Sequence, residues 1–234
     1  MLLCAPKFFA KKAARLRRAF TLVELLIVIG LIALLLGAVG LSLSGPGVTT
    51  LATAQNTLAG LVATARAQAA VKQKDTLVLI YGTRPPIGDV EKYLRYIRIV
   101  IAPDSSPTTS TTIWEPIGSP VLLPNGVCVV PPSTTGLLAS GVIWPTNPAP
   151  VSAFNNPIAS KKIILNEPAN NAADTYFELK ITPDGVVTPV AAKLAVATTT
   201  VSNGLPQFTN AGAVRGLAFR TSGAVTRVNE PGSF

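Results

Sequence analysis

The stretch RLRRAFTLVELLIVIGLIALLLGAVGL, Arg15 to Leu41, constrains this chain more than any other. From Phe20 to Leu41 it is apolar apart from Thr21 and Glu24. As a helix that run would extend roughly 33 Å, enough to cross the hydrocarbon core of a bilayer. Basic residues precede it, and the next one after it is Arg66. The positive-inside bias therefore sets the N-terminus in the cytoplasm and the rest of the chain outside. Glu24 is the anomaly. A carboxylate within a membrane helix costs about 2.5–3.5 kcal/mol on insertion scales, so it calls for a partner or a function.

Composition narrows the rest. The chain of 234 residues is 48% hydrophobic and 13% charged. That allows one membrane segment and one globular domain of ordinary size. The net charge of +9 is concentrated at the front, where Lys7, Lys11, Lys12, Arg15, Arg17 and Arg18 meet no acid. A basic leader, not a nucleic-acid surface on the domain, accounts for most of it. Cys4 lies in that leader and Cys128 deep in the domain, so the domain rests on its core and not on disulfides. Cys128, in GVCVV, reads as a small buried apolar residue. There is no histidine, which removes the commonest general base and metal ligand.

Three readings of the apolar run compete. A cleaved signal peptide needs a small-residue site after the run, and LSLSGPG is a poor one. An uncleaved signal anchor fits the length and charge but gives no reason for Glu24. The third rests on a resemblance. RRAFTLVELLIVIGLIALLLG resembles the prepilin-type cleavage and methylation signal of type IV pilins and type II secretion pseudopilins. The resemblance implies cleavage by a prepilin peptidase between Ala19 and Phe20, with methylation of the new Phe20 amine. The departure is Ala19, where the family has glycine. It further implies that Glu24 of one subunit pairs with the Phe20 amine of its neighbour during assembly. Opposite charges about 4 Å apart attract by roughly 4 kcal/mol at an effective dielectric of 20. Removing one partner would leave the other buried and unpaired.

After the run, Gly45-Pro46-Gly47 marks a kink or short break. VTTLATAQNTLAGLVATARAQAAVKQKD reads as an amphipathic helix, with Leu51, Ala54, Leu58, Leu61 and Ala65 as its apolar stripe. From Asp75 the chain reads as β. TLVLIYG is a short strand, and KYLRYIRIVIA alternates, with Leu94, Tyr96, Arg98 and Val100 on one face. VLLPNGVCVVPP is a strand pair, or a strand with a turn at Asn125-Gly126. TYFELKITPDGVVTPVAA is a hairpin turning at Pro183-Asp184-Gly185, and VRGLAFRTSGAVTRV one turning at Ser222-Gly223. Between them, roughly 131–168 is rich in proline and shows no period, which reads as a long surface excursion. The end of the helix and the strand after it are similar to minor pseudopilins of the H type. The order of helix, YLRYIRI, WEPIGSPVLLPNGV and YFELKITPDGVVTP also resembles the D-type proteins of the Verru_Chthon cassettes.

No catalytic constellation is visible. A Ser-His-Asp arrangement is excluded, and no glycine-rich phosphate loop follows a strand. Asp174, Glu178 and Asp184 are candidate calcium ligands, but they read better as solvated strand or turn residues. Tyr93, Arg95, Tyr96 and Arg98 interleave aromatic and basic residues, yet alternation separates Arg95 from Arg98, against nucleic-acid binding. Trp114 and Trp144 are either contact residues or lids over a small core.

The sequence thus predicts an α+β protein: a long N-terminal helix packed on an antiparallel sheet. Its parts are a cleaved leader, 1–19; a transmembrane helix, 20–43; a kink and amphipathic helix, 44–74; and a periplasmic β-rich domain, 75–234. It reads as a structural subunit, a minor pilin or pseudopilin, with no enzymatic activity, cofactor or metal. Its partners would be the prepilin peptidase, other subunits and an inner-membrane assembly platform. The rival is an uncleaved, signal-anchored periplasmic binding domain that never polymerises.

Overall fold

The computed structural model describes residues 22–23, 25–32, 46–103, 112–159, 163–165, 174–220 and 224–234. The chain divides into two units, Met1–Gly45 and Pro46–Phe234. In the first, the described residues are helical, and their apolar side chains are exposed throughout, from Leu22 at 75% to Val28 at 45%. Among the described residues no helix is long and apolar enough to cross a membrane; most of the run expected to span lies outside them.

The second unit opens with helix α1, Pro46–Lys72. Pro46 begins this helix, where its missing N–H would have no intrahelical partner in any case. At the other end Gln73 takes a left-handed conformation (φ 54°), and Lys74 N–H reaches back to Ala69 O at 3.2 Å, closing the last turn. The buried stripe is Leu51, Ala54, Leu58, Val62, Ala65 and Ala69, spaced by threes and fours. Leu61, expected on this stripe, is only half-buried and packs at its margin; Val62 takes the central place.

Among the described residues twelve strands follow. They are β1 Thr76–Tyr81, β2 Tyr96–Ile101, β3 Thr112–Leu122, β4 Val127–Val129, β5 Asn155–Ala159 and β6 Ile163–Leu165, then β7 Thr175–Ile181, β8 Val187–Thr188, β9 Lys193–Ser202, β10 Leu205–Phe208, β11 Val214–Phe219 and β12 Val225–Val228. A short 3-10 turn, Pro231–Ser233, lies near the C-terminus. The expected single sheet is two sheets. The larger runs β5-β7-β1-β2-β3-β6, with β8 added beside β7; the smaller runs β10-β9-β11-β12, with β4 also on β9. Between the described strands all pairings are antiparallel except β3 with β6. The fold is α+β, one helix packed on antiparallel sheets, with α1 contacting strands of both.

Strand β1, TLVLIY, is buried along its whole length because both of its faces are covered. Val78 and Ile80 join Ile97, Ile99, Leu179 and Ile181 beneath the stripe of α1. Leu77, Leu79 and Tyr81 point the other way and cluster with Val100 and Tyr176. The alternation expected across Tyr93–Ala102 holds only from Tyr96. Before it, Tyr93 N–H bonds Asp89 O at 2.9 Å and Leu94 sits at φ 58°, so Tyr93 and Leu94 are both buried. A left-handed residue turns the chain and breaks the two-residue period.

The proline-rich middle is not a free excursion where it is described. Leu137 and Trp144 bury themselves against Cys128, Ala195, Ala197, Phe208 and Val214, covering a face of the smaller sheet. Main-chain bonds fasten this cover: Ala139 N–H to Phe208 O at 3.0 Å and Phe208 N–H to Leu137 O at 2.7 Å. Ala195 N–H also bonds Ser152 Oγ at 2.9 Å. The stretch VLLPNGVCVV does form two strands, β3 and β4, but they belong to different sheets and do not pair. The hairpin β7–β8 turns through Pro183-Asp184-Gly185, with Gly185 at φ +79°, where glycine carries no steric penalty.

Candidate processing and assembly site

The residues expected to carry processing and assembly, Ala19, Phe20 and Glu24, lie outside the described residues. Their neighbours Leu22, Val23, Leu25, Leu26, Ile27, Val28, Ile29, Leu31 and Ile32 are helical with exposed side chains. An apolar helix exposed all round is one that water does not favour; a bilayer, or a bundle of like helices, does.

The other candidates of the sequence are scattered. Asp174 accepts a hydrogen bond from Tyr81 Oη at 2.9 Å, at the end of the larger sheet. Burial first, and then this bond, pushes the Tyr81 phenol above its ordinary pKa. Glu178 lies within β7, and Asp184 in the turn beyond its far end, so the three carboxylates do not converge. Among the described residues no group of three or more potential ligands is placed to hold a metal ion.

Tyr93, Arg95, Tyr96 and Arg98 do not share an exposed face. Tyr93 is buried beneath the proline-rich cover. Arg95 Nη2 donates to Leu123 O at 2.7 Å and to Asn125 Oδ1 at 2.6 Å. Arg98 is buried, with Nη1 3.3 Å from Tyr96 Oη. Trp144 is a lid, its ring 5.4 Å from that of Phe208, while Trp114 packs half-buried beside the Tyr81 cluster. Cys128 is buried, 3.4 Å from Thr199 Oγ1, and burial pushes its thiol up to about 11.

Two residues that sequence reasoning passed over fix the helix on the smaller sheet. Gln55 is 3% exposed, and its Nε2 donates to Gly216 O at 2.8 Å and Val228 O at 3.0 Å. Gly216 lets the strands approach: a Cβ there would lie 2.3 Å from Leu194 O. The available signal was a glutamine one residue after Ala54, close to the apolar stripe.

Residues 14–40 match the family model described as the prokaryotic N-terminal methylation motif. No curated protein sequence matches the chain significantly. Among solved structures, the type IV minor pilin FimU of Pseudomonas aeruginosa is similar at 12% identity and a TM-score of 0.37, over 79% of this chain and 95% of that one. The minor pseudopilin EpsH of the Vibrio cholerae type 2 secretion system is similar at 10% identity and a TM-score of 0.39, over 78% of this chain and 97% of that one. Superpositions this loose carry no functional assignment. The motif and the architecture do define a class: a prokaryotic N-terminal methylation motif joined to an α+β domain. The chain carries a prokaryotic N-terminal methylation motif.

Proposed function

We propose that this protein is a minor pilin or pseudopilin, a structural subunit of a type IV pilus-like or type II secretion filament. The observation that carries the reading is the match of residues 14–40 to the methylation motif, directly ahead of a helix-on-sheet domain. A prepilin peptidase cuts between Ala19 and Phe20 and the Phe20 amine is methylated. The apolar helix holds the subunit in the inner membrane, with the domain from Pro46 in the periplasm, until an assembly platform draws it into a filament. Glu24 then neutralises the Phe20 amine of the neighbouring subunit. In the apolar interior of such a filament, an unpaired charge is strongly unfavourable.

The test is incorporation. Filaments sheared from the native host should contain the wild-type protein, and Glu24→Val should leave it in the membrane with its domain folded. Equal recovery of Glu24→Val in the filament fraction would remove the assigned role of Glu24. Absence of the wild-type protein from every filament fraction would favour the rival, an anchored periplasmic binding domain.

A further inference from the structure

We propose that the outer edge of β12 takes up an extended, acidic segment of another protein as an added strand of the smaller sheet. The assignment goes beyond the filament reading and does not depend on it. A bare strand edge is a template for pairing, and proteins ordinarily guard it with proline, charge or a cover. Other edges of this fold are guarded. β5 carries Pro157, and β3 beyond its pairing with β6 carries Pro116 and Pro120. At the far side of the smaller sheet, β10 carries Pro206 and is bridged by Leu138. β12 has no proline, and among the described residues β11 is its one neighbour. Val225, Thr226 and Arg227 are all exposed.

The ladder fixes where the main-chain groups of β12 point. Phe219 N–H bonds Ala192 O at 2.9 Å, on the β9 side of β11. Arg220 N–H bonds Ala224 O at 2.9 Å, on the β12 side. In an antiparallel strand the N–H and C=O of one residue point to the same side, and the side alternates from residue to residue. Phe219 and Leu217 therefore turn to β9, and make no ladder bonds to Val225 and Arg227, the residues opposite them on β12. The N–H and C=O groups of Val225 and Arg227 consequently point outward from the sheet. Donors and acceptors so spaced along an edge are what another extended chain matches.

Charge selects the segment. The strands of the smaller sheet carry Lys193, Arg215 and Arg227 and no acid; the next acid along the chain is Glu230, past the end of β12. Val225 and Arg227 stand opposite Phe219 and Leu217, whose side chains join the core beneath α1, so they share that face of the sheet. Arg215, two residues before Leu217, is on the same face and diagonal to Arg227. Neither arginine makes a hydrogen bond or ion pair among the described residues. A carboxylate placed opposite Arg227 meets an unpaired guanidinium, and such a cross-strand pair favours its partner by up to about fivefold. A second copy of the chain fits worse. Antiparallel pairing through the same two residues sets the Arg227 side chains of both copies diagonally across one face, about 7–8 Å apart.

The test reads hydrogen exchange at the amides of Val225 and Arg227 in the full chain in detergent, with Thr226 and Val228 as references bonded to β11. The probes are a short blocked peptide alternating glutamate with threonine, and its twin with lysine in place of glutamate. The glutamate peptide, at about ten times its dissociation constant, should slow exchange at Val225 and Arg227 about tenfold. The lysine peptide should bind about fivefold more weakly, and Arg227→Glu should reverse the preference. Val225→Pro removes an outward N–H at the first residue of the strand, so it should keep the wild-type circular dichroism and abolish the slowing at Arg227. No slowing by either peptide up to millimolar concentration would overturn the proposal. Slowing that persists in Val225→Pro would overturn strand addition, and equal binding of the two peptides would overturn the acidic partner. Slow exchange at both amides without peptide would show the edge already covered: by a second copy if it is lost on dilution, by the chain itself if it is not. Either result overturns the proposal and leaves the filament reading untouched.

Discussion

Gly216 is the position at which a single methyl group should cost most. It lies in β11, between the main chain of β9 on one side and the C-terminal Phe234 on the other. A Cβ built there comes within 2.3 Å of Leu194 O, 2.8 Å of Phe234 Cζ and 3.0 Å of Ala195 Cα. Two of those three neighbours are backbone and cannot rotate away, so β9 and β11 must separate locally. Overpacking of this kind costs about 1–3 kcal/mol, and the backbone contacts place Gly216→Ala at the upper end of that range. The separation also shifts Gly216 O, which accepts from Gln55. The entropy gained by losing a glycine in a strand returns only about 0.5–1 kcal/mol. A net loss of about 2 kcal/mol should lower the melting temperature by roughly 4–8 °C for a domain of this size. Calorimetry of the full chain in detergent measures it. Gly60→Ala serves as the control, because no described residue lies within 4 Å of a Cβ at Gly60 on the exposed face of α1. That change should stabilise by up to about 1 kcal/mol. Gly216→Ala melting within a degree of wild type would refute the close-approach argument.

Other substitutions test the remaining features. Gln55→Ala removes the donor to Gly216 O and Val228 O in a buried setting and should cost about 1–3 kcal/mol, read by denaturant unfolding. Thr76 is fully buried and its hydroxyl has no partner among the described residues, so Thr76→Val, nearly equal in shape, should leave stability unchanged or raise it by about 1 kcal/mol. Cys128 predicts an alkaline loss of stability. Its thiol is pushed up to about 11 in the fold from an ordinary 9.0, so the unfolded chain loses its proton first. That stability is present below pH 9 and fades as pH rises through the folded value, by about 2–3 kcal/mol in all. Cys128→Val should flatten the decline in melting temperature over that window, and an unchanged slope would contradict the assignment to this thiol.

Features governed by local spacing were legible in the sequence. The stripe of α1 follows from three- and four-residue recurrence, and the β7–β8 hairpin from Pro183-Asp184-Gly185. Confusing Leu61 with Val62 is the expected error of such a reading, because residues three and four along from Leu58 flank the same line. What was illegible depends on contacts distant in sequence. Nothing local indicates that the prolines after Pro131 would lay Leu137 and Trp144 across Cys128 and Phe208. Leu94 was misread because a left-handed leucine leaves no compositional mark, although it ends the alternation that Tyr93–Ala102 displays. The division into two sheets was hidden for the same reason: β3 and β4 are adjacent in sequence but find partners far along the chain. The candidate processing site rests on sequence alone, since Ala19, Phe20 and Glu24 are defined by their order relative to the apolar run and lie outside the described residues. Gln55 was not, because its partners at Gly216 and Val228 come together only in the fold.

The central claim is that this chain is processed as a prepilin, and the mass of its N-terminus tests that most directly. Protein extracted from membranes of the native host should begin at Phe20 and carry a methyl group on its amine. A mature chain that retains Met1 to Ala19 would contradict the account and leave a single-pass anchored domain in its place.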